Sequence, residues 1–237
     1  PISRGTTYNS LTLTQDFFTP DFKVNEFASR PFASYLLMGM KQQTLLPEKG
    51  MSLTSELQLG LIGKNSGGEA IQNGSHKVFP GADTVSWANQ IRNDLGFNYR
   101  MLLEKQALSI DHMQIIVYGE GQLGTPFTQF SAGTRIKIGW FEDYFKPRGS
   151  YSSKWQLYLF NEVKGSFVLH NSTLQGGFVS ENPYIRCDMT PIVLRMETGL
   201  GFAYNKVFVE IGQNMMSPEF ELGEAHRWGF LTIKYRF

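Results

Sequence analysis

The sequence predicts an all-β protein, an antiparallel transmembrane β-barrel of about 12 strands with one short helical loop. Apolar side chains recur at every second position, and no stretch approaches the roughly 20 consecutive apolar residues of a membrane helix. The chain also ends on an alternating strand that closes with phenylalanine. Because one face of a barrel strand meets lipid and the other meets the lumen, we interpret residues 1–237 as a single outer-membrane barrel domain.

The composition agrees with a wall that has one apolar and one polar face. Charged residues make up 18% of the chain and aromatic residues 14%, and there are 24 glycines. The formal net charge of +1 gives no reason to expect nucleic acid as a partner, because a surface that binds its phosphates needs an excess of Lys and Arg. The bacterial outer membrane is the expected location.

Two-faced strands are predicted along the chain. In the first clear run, Leu57, Leu59 and Leu61 alternate with Gln58 and Gly60. Runs of the same kind cover residues 136–140, 155–159, 192–196 and 207–211. Counting them gives about 11 or 12 strands of about 10 residues, and the even number usual in bacterial barrels favours 12.

Residues 64–78 interrupt the alternation and are predicted to form a loop that leads into a short helix. Glu69, Gln72 and His76 fall at i, i+3 and i+7, so they share one helical face. His76 is the candidate general base, since an imidazole titrates near neutral pH, and Gln72 is placed to orient it. A solvated loop histidine is the alternative reading.

The closing strand alternates up to the last residue. Leu231, Ile233, Tyr235 and Phe237 share one face, which resembles the terminal signal of outer-membrane barrels. Aromatic residues near predicted strand ends are expected to form interfacial girdles: Trp140, Phe141, Tyr144, Phe145, Trp155 and Tyr235.

Four segments resemble the outer-membrane lipid A 3'-O-deacylases, and the resemblance runs from about residue 3 to residue 237. Residues 29–35, Ser-Arg-Pro-Phe-Ala-Ser-Tyr, resemble the family's D-R-P-Y-A-G-W, and residues 87–96 resemble its W-D-N-Q-L-K-N-E-P-G. The other two segments are 63–81, with Glu69, Gln72 and His76, and 218–220 before the closing strand.

The resemblance implies an esterase that removes the 3'-linked acyloxyacyl group of lipid A at a lumen-side site near the outer leaflet. By resemblance, His76 activates a water, Gln72 orients the histidine, and a bound Ca²⁺ stabilises the oxyanion. Arg30 is nominated as the contact to a lipid A phosphate, with a strand-end arginine reaching the membrane interface as the alternative.

The sequence departs from the family pattern in three places. Residues 1–8 contain no Asn-Asp pair, which in the family belongs to the catalytic and calcium site. The family's Tyr-Thr-Asn-Gly becomes residues 7–10, where Tyr8 and Ser10 are lesser catalytic candidates expected to face the lumen. Asp83 stands in for a glutamate and is the candidate metal ligand.

Two further functions are alternatives to the esterase. A catalytically silent family member, acting as a structural or docking subunit of an outer-membrane complex, is favoured by the missing carboxylates. A passive pore is disfavoured, since Tyr158, Phe160 and Phe208 are expected to point into the lumen and fill it.

Overall fold

The computed structural model describes residues 5–20, 30–78, 85–147, 155–178, 188–221 and 223–235, without the side chains of residues 76–78. Its strands are β1 (Thr6–Phe18), β2 (Ala33–Leu46), β3 (Met51–Ile62), β4 (Asp94–Ile110), β5 (Met113–Gly124), β6 (Phe127–Trp140), β7 (Trp155–Asn171), β8 (Ile192–Tyr204), β9 (Val207–Met216) and β10 (His226–Tyr235). Helix α1 spans Gly68–Val78 and helix α2 spans Ser172–Gln175, with short 3-10 turns at Pro47–Lys49 and Lys64–Ser66. No described helix is long and apolar enough to cross a membrane.

The strands form one antiparallel sheet in the order β1 to β10, so each strand pairs with its neighbour in sequence. This confirms the all-β antiparallel architecture and the short helix predicted within residues 64–78. The described residues form ten strands, and the predicted count of twelve is not confirmed. The prediction assumed strands of about 10 residues, whereas β4 and β7 have 17 residues each.

The outward face of the sheet is apolar. Leu11 and Leu13 on β1 are cross-strand partners of Met40 and Met38 on β2, and these four side chains are 68% to 80% exposed. The alternation predicted for residues 57–61 is confirmed, because the leucines are exposed while Gln58 is buried. Such a band of exposed apolar side chains fits a hydrocarbon surrounding rather than water.

The inward face carries a network of ion pairs. The Arg135 guanidinium lies 3.1 Å from the Glu104 carboxylate and 2.7 Å from the Glu162 carboxylate. Arg100 lies 2.5 Å from Glu120, which also faces Lys164 at 3.9 Å. These pairs compensate charges that would be costly to bury alone. Two polar cavities of 260 and 270 Å³ remain between them, with Arg100, Glu120 and Lys164 in the walls of both.

Buried side chains lie at both ends of the lumen. At one end, the residues of α2 from Ser172 to Leu174 are buried. At the other end, the connection from β6 to β7 turns inward, where Phe145 is buried and the Tyr144 hydroxyl donates to Glu104 at 2.8 Å. Tyr158 and Phe160 are also buried on the inward face, as predicted.

The girdle prediction is wrong for part of its residues. Trp140, Trp155 and Tyr235 are half-exposed on the outward face. Tyr144 and Phe145 instead fold into the barrel, because the Tyr144 phenol finds a carboxylate partner there. Burial, followed by the negative charge of Glu104, raises the pKa of Tyr144, so the phenol stays protonated as a donor.

Most of the long connections lie at one end of the barrel. Residues 19–32, 63–93, 172–191 and 217–225 join strands at the end that carries α1, where only the β5 to β6 turn is short. At the other end the connections 47–50, 111–112 and 205–206 are short, and only 141–154 is long. Long connections usually face the outside in such barrels, so we take the α1 end as the outer-leaflet end.

The lumen network makes a stability prediction. Arg135→Ala leaves Glu104 and Glu162 without their shared cation, so we expect the free energy of unfolding to fall by about 3–5 kcal/mol. The control is Lys234→Ala, because Lys234 pairs with Glu210 at 3.0 Å but is well exposed, and its loss should cost less than about 1 kcal/mol. Urea unfolding followed by tryptophan fluorescence measures both, and equal losses would contradict the prediction.

Candidate functional site at the outer rim

The segment that leads into α1 is tied to the start of β2. The Gly63 amide donates to the Ser34 carbonyl at 2.8 Å, and the Ser34 and Ser66 hydroxyls lie 2.6 Å apart. Gly67 adopts φ +79° directly before the helix, a left-handed conformation that favours glycine. The chain therefore turns back onto the barrel wall before the helix begins.

Helix α1 lies against the outward face of that wall. Phe17 and Ser34 are cross-strand partners, and by alternation they face the same side as Leu13 and Met38. Ser34 is nevertheless fully buried, because Gly68 covers it so closely that an added Cβ would lie 2.5 Å from its hydroxyl oxygen. The structure therefore places α1 on the lipid-facing side of the wall and not on the lumen side, which is where the resemblance puts the site.

Trp87 holds one face of α1. Its indole N–H donates to the Gln72 side-chain oxygen at 2.7 Å, and its backbone N–H donates to Glu69 at 3.3 Å. Its ring is buried and stacks on Phe32 with centroids 5.0 Å apart. The predicted common face of Glu69 and Gln72 is thus confirmed. His76 lies one turn beyond Gln72 in α1, and its side chain is outside the described residues.

Asn73 fixes the chain where it returns from the helix. Its side-chain oxygen accepts from the Val85 amide at 2.9 Å, and its side-chain nitrogen donates to the Val85 carbonyl at 3.0 Å. This two-point contact positions the approach to Trp87. Asp83, the candidate metal ligand, lies outside the described residues.

Arg30 lies on the other side of the wall. Its guanidinium forms an ion pair with Glu219 at 2.7 Å, donates to Thr173 of α2 at 2.7 Å, and sits 4.3 Å above the ring of Phe18. Phe18 belongs to the inward face, next to Tyr35. The structure therefore does not bring Arg30 and Gln72 together, and contact of Arg30 with a phosphate stays a prediction.

Tyr8 and Ser10 lie near the start of β1, on its inward face, at the end opposite to α1. Eight residues separate Ser10 from Phe18, which corresponds to about 26 Å along a strand. These two candidates are therefore not assembled with Gln72 in one site.

Carboxylates near the outer rim are engaged within the protein. Glu69 accepts from Trp87, Asp16 accepts from the Tyr35 hydroxyl, and Glu219 pairs with Arg30. Across the part of the chain that the structure describes, no three His, Cys, Asp or Glu side chains are grouped to hold a metal ion. Calcium binding, which needs several oxygen ligands at once, therefore stays a prediction.

The four segments that carry the family resemblance meet at this end of the barrel. Residues 29–35 contact residues 87–96, because the Ile91 amide donates to the Phe32 carbonyl at 2.9 Å and Phe32 stacks on Trp87. They also contact residues 218–220 through the Arg30–Glu219 pair, while α1 joins through Gln72. Trp87 and Glu219 are contact residues that the sequence does not single out, since neither has a spacing that reveals its partner.

The comparison with protein families decides the assignment. A family model described as "Outer membrane protein LpxR" matches residues 2–237. The chain belongs to the LpxR family. This family membership identifies it as an LpxR-like protein of the bacterial outer membrane, as the sequence predicted.

The fold agrees with the LpxR assignment. The structure of LpxR from Salmonella typhimurium matches with a TM-score of 0.81 at 19% sequence identity, over 98% of this chain and 84% of that chain. None of the curated protein sequences that were compared with the chain matches it.

The packing of α1 against the wall makes a prediction that substitutions of two glycines in this helix can test. Gly68→Ala places a Cβ against Ser34 and Trp87, so we expect a loss of about 1–3 kcal/mol from overpacking. Gly74→Ala meets no atom within 4 Å and should stabilise the helix by up to about 1 kcal/mol. Hydrogen exchange of the α1 amides measures both effects, and faster exchange in both variants would contradict the packing described.

The Arg30–Glu219 pair makes a second prediction. Arg30→Ala leaves the Glu219 carboxylate part-buried without its cation, so we expect the free energy of unfolding to fall by about 3 kcal/mol. Arg30→Met combined with Glu219→Gln should recover most of that loss, because no charge is left uncompensated. Urea unfolding of the three proteins measures this. Unchanged stability of Arg30→Ala would instead favour an arginine held for a phosphate.

Proposed function

We propose that the chain is a lipid A 3'-O-deacylase-like esterase whose site lies between α1 and the outward wall. The observation that carries the proposal is the Trp87–Gln72 hydrogen bond, which fixes a polar side chain one turn before His76. The helix sits on the lipid-facing side at the outer-leaflet end, and lipid A is the lipid of that leaflet. An ester at the glucosamine backbone of lipid A would lie at the same depth in the membrane as this part of the rim.

In the proposed reaction, His76 takes a proton from water as the water oxygen attacks the ester carbonyl. The bond from the acyl carbon to the sugar oxygen then breaks, and His76 returns the proton to the leaving alkoxide. The products are the free acyloxyacyl acid and the 3'-hydroxyl of lipid A. Gln72 orients the imidazole, because its side-chain oxygen has a second lone pair beside the one that Trp87 occupies.

The acyl chains of the substrate would lie along the outward face of β1 and β2. Below α1 this face presents Phe17, Leu13 and Met38, all exposed and apolar. Contact with these apolar side chains would stabilise the bound acyl chains. The polar end of the substrate would then lie at the helix. This division matches an enzyme that takes its substrate sideways from the membrane.

Calcium enters the proposal only as an expectation from the resemblance, which assigns it the role of oxyanion stabiliser. Since no three His, Cys, Asp or Glu side chains are grouped among the described residues, we derive no step through the ion. The experiment below compares the reaction with calcium and with a chelator.

A second candidate function is a catalytically silent LpxR-family protein that serves as a structural or docking subunit. The engagement of Asp16, Glu69 and Glu219 in contacts within the protein favours it, since these carboxylates are used to hold the rim together.

The decisive experiment is mass spectrometry of lipid A incubated with protein purified from outer membranes, with calcium or with a chelator. We expect loss of the acyloxyacyl group, slowed about 10²–10⁴-fold by His76→Ala, because a general base is removed. Trp87→Phe keeps an aromatic but smaller side chain and removes the N–H that holds Gln72, and it should slow the reaction about 10-fold or more.

The matched control is His112→Ala, which removes a histidine at the opposite end of the barrel and should leave the rate unchanged. Equal rates with calcium and with chelator would remove the ion from the mechanism. Intact lipid A under every condition would overturn the esterase and leave the silent subunit.

A further inference from the structure

Gln15 is a polar residue on the apolar outward face of β1. Leu11 and Leu13 of the same strand are 80% and 73% exposed on that face, and Gln15 shares it by alternation. The next outward residue along the strand is Phe17, and the cross-strand partner of Gln15 is Leu36. The amide group of Gln15 therefore has apolar neighbours both on its own strand and on β2.

The side-chain nitrogen of Gln15 is buried, and no atom of the described residues accepts a hydrogen bond from it. A buried donor of this kind is costly, because it has lost its hydrogen bonds to water and gained none within the protein. Folded proteins contain few such groups. Water around the barrel does not restore the bond, since the nitrogen is closed off from solvent. The amide is therefore a donor available to a ligand.

Gln15 lies where α1 begins to cover the wall, and the helix contacts both β1 and β2. Toward the middle of the membrane, Leu13 and Met38 form an outward pair that is largely exposed. Toward the outer rim, Ser34 is fully buried beneath the start of α1. The pair of Gln15 and Leu36 lies between them and is partly buried. The amide therefore sits where the helix gives way to the apolar face.

An ester group of a lipid has the same division of polarity. It joins a polar sugar to an apolar acyl chain, and its carbonyl oxygen accepts hydrogen bonds but donates none. A lipid with its sugar at α1 and its acyl chain along the exposed face of β1 and β2 brings this carbonyl to the level of Gln15. An acceptor of the required kind then meets the donor that the protein leaves unsatisfied.

The amide is also close to the contact that positions the proposed base. Phe17 is the next outward residue from Gln15 toward the rim, which corresponds to about 7 Å along the strand. The Phe17 ring lies 6.5 Å from the ring of Trp87, and Trp87 donates to Gln72. Gln15 and Gln72 therefore belong to the same part of the interface between helix and wall.

We propose that the Gln15 amide N–H donates to the ester carbonyl oxygen of the bound lipid and stabilises the negative charge that develops there. This inference rests on the proposed esterase. When the water oxygen attacks the carbonyl carbon, the π electrons of the carbonyl bond move to its oxygen, and His76 takes the proton. The electrons return when the bond to the sugar oxygen breaks. A fixed donor in a site closed to water stabilises such a charge strongly.

The contact supplies from the chain itself the role that the resemblance gives to calcium. The carboxylates of this rim are engaged elsewhere, because Asp16 accepts from Tyr35 and Glu69 accepts from Trp87. A neutral amide also does not repel the developing oxyanion, as a carboxylate in the same position would. The reaction therefore has an oxyanion donor whether or not the ion binds.

Kinetics of lipid A hydrolysis test the contact. Gln15→Leu removes the donor, and we expect kcat to fall about 10²–10³-fold with little change in KM. Gln15→Glu keeps the shape but places a carboxylate where negative charge develops, so kcat should fall further. The matched control is Gln42→Leu, which removes an outward amide of β2 near the opposite end of the strand and should leave kcat unchanged. An unchanged kcat in Gln15→Leu would overturn the contact and leave the esterase in place.

Urea unfolding separates this role from a structural one. Because the buried donor has no partner among the described residues, Gln15→Leu should leave the midpoint of unfolding unchanged or raise it. A side chain that holds α1 against the wall would lower the midpoint when it is replaced. A lower midpoint would therefore overturn the assignment of Gln15 to the oxyanion.

A measurement on the bound lipid does not depend on turnover. Lipid A with an isotopically labelled 3'-ester carbonyl is bound to the His76→Ala protein, and infrared spectroscopy follows the carbonyl stretch. Since a hydrogen bond lowers this frequency, we expect a shifted band that disappears when Gln15→Leu is added.

A second arm uses phospholipid with labelled ester carbonyls. A shifted band with phospholipid but not with lipid A would overturn lipid A as the ligand, and no shifted band with either lipid would overturn the contact. If the wild-type protein leaves lipid A intact and the band is present, the esterase fails while the contact of Gln15 with the ester stands.

Discussion

The structure depends on one constraint, which is that a peptide group in hydrocarbon must find its hydrogen-bond partner within the protein. Among the described residues, the antiparallel pairing from β1 to β10 meets it wherever two strands that are neighbours in sequence face each other. Pairing of this kind leaves each strand with two faces. The surroundings of each face, lipid outside or the lumen inside, then determine which residues it carries. The outward face became Leu, Met and aromatic residues, while the inward face took Arg135, Glu104 and the other members of the ion-pair network.

The outer rim shows how connections are fixed once the wall exists. Trp87 joins α1 to the start of β2 through Gln72 and Phe32, and Arg30 joins the same region to α2 and to the β9–β10 connection through Glu219. The contacts of Trp87 lie on the outward side of the wall, and those of Arg30 lie on its inward side. Polar residues in this rim serve both to hold connections and to offer chemistry, and the Trp87–Gln72 contact does both in the proposed site.

Period-2 alternation predicted the wall because it is local, and helical spacing predicted the shared face of Glu69 and Gln72 for the same reason. Alternation does not show how long a strand is, so an assumed length of about 10 residues did not anticipate the 17 residues of β4 and of β7. It also does not show onto which face of the wall a connection folds back, and the lumen-side site was an expectation from the resemblance alone. The Arg30–Glu219 pair joins residues 189 positions apart, and neither residue type nor spacing reveals such a partner.

The side chains that occupy the ends of the lumen have a consequence for passage across the membrane. Residues Ser172 to Leu174 of α2 are buried at one end, and Phe145 is buried at the other. A solute that moved through the interior would have to pass these side chains and the ion pairs between them. The proposed chemistry along the flank of the barrel needs no such passage, so the interior can serve as a packed support for the wall.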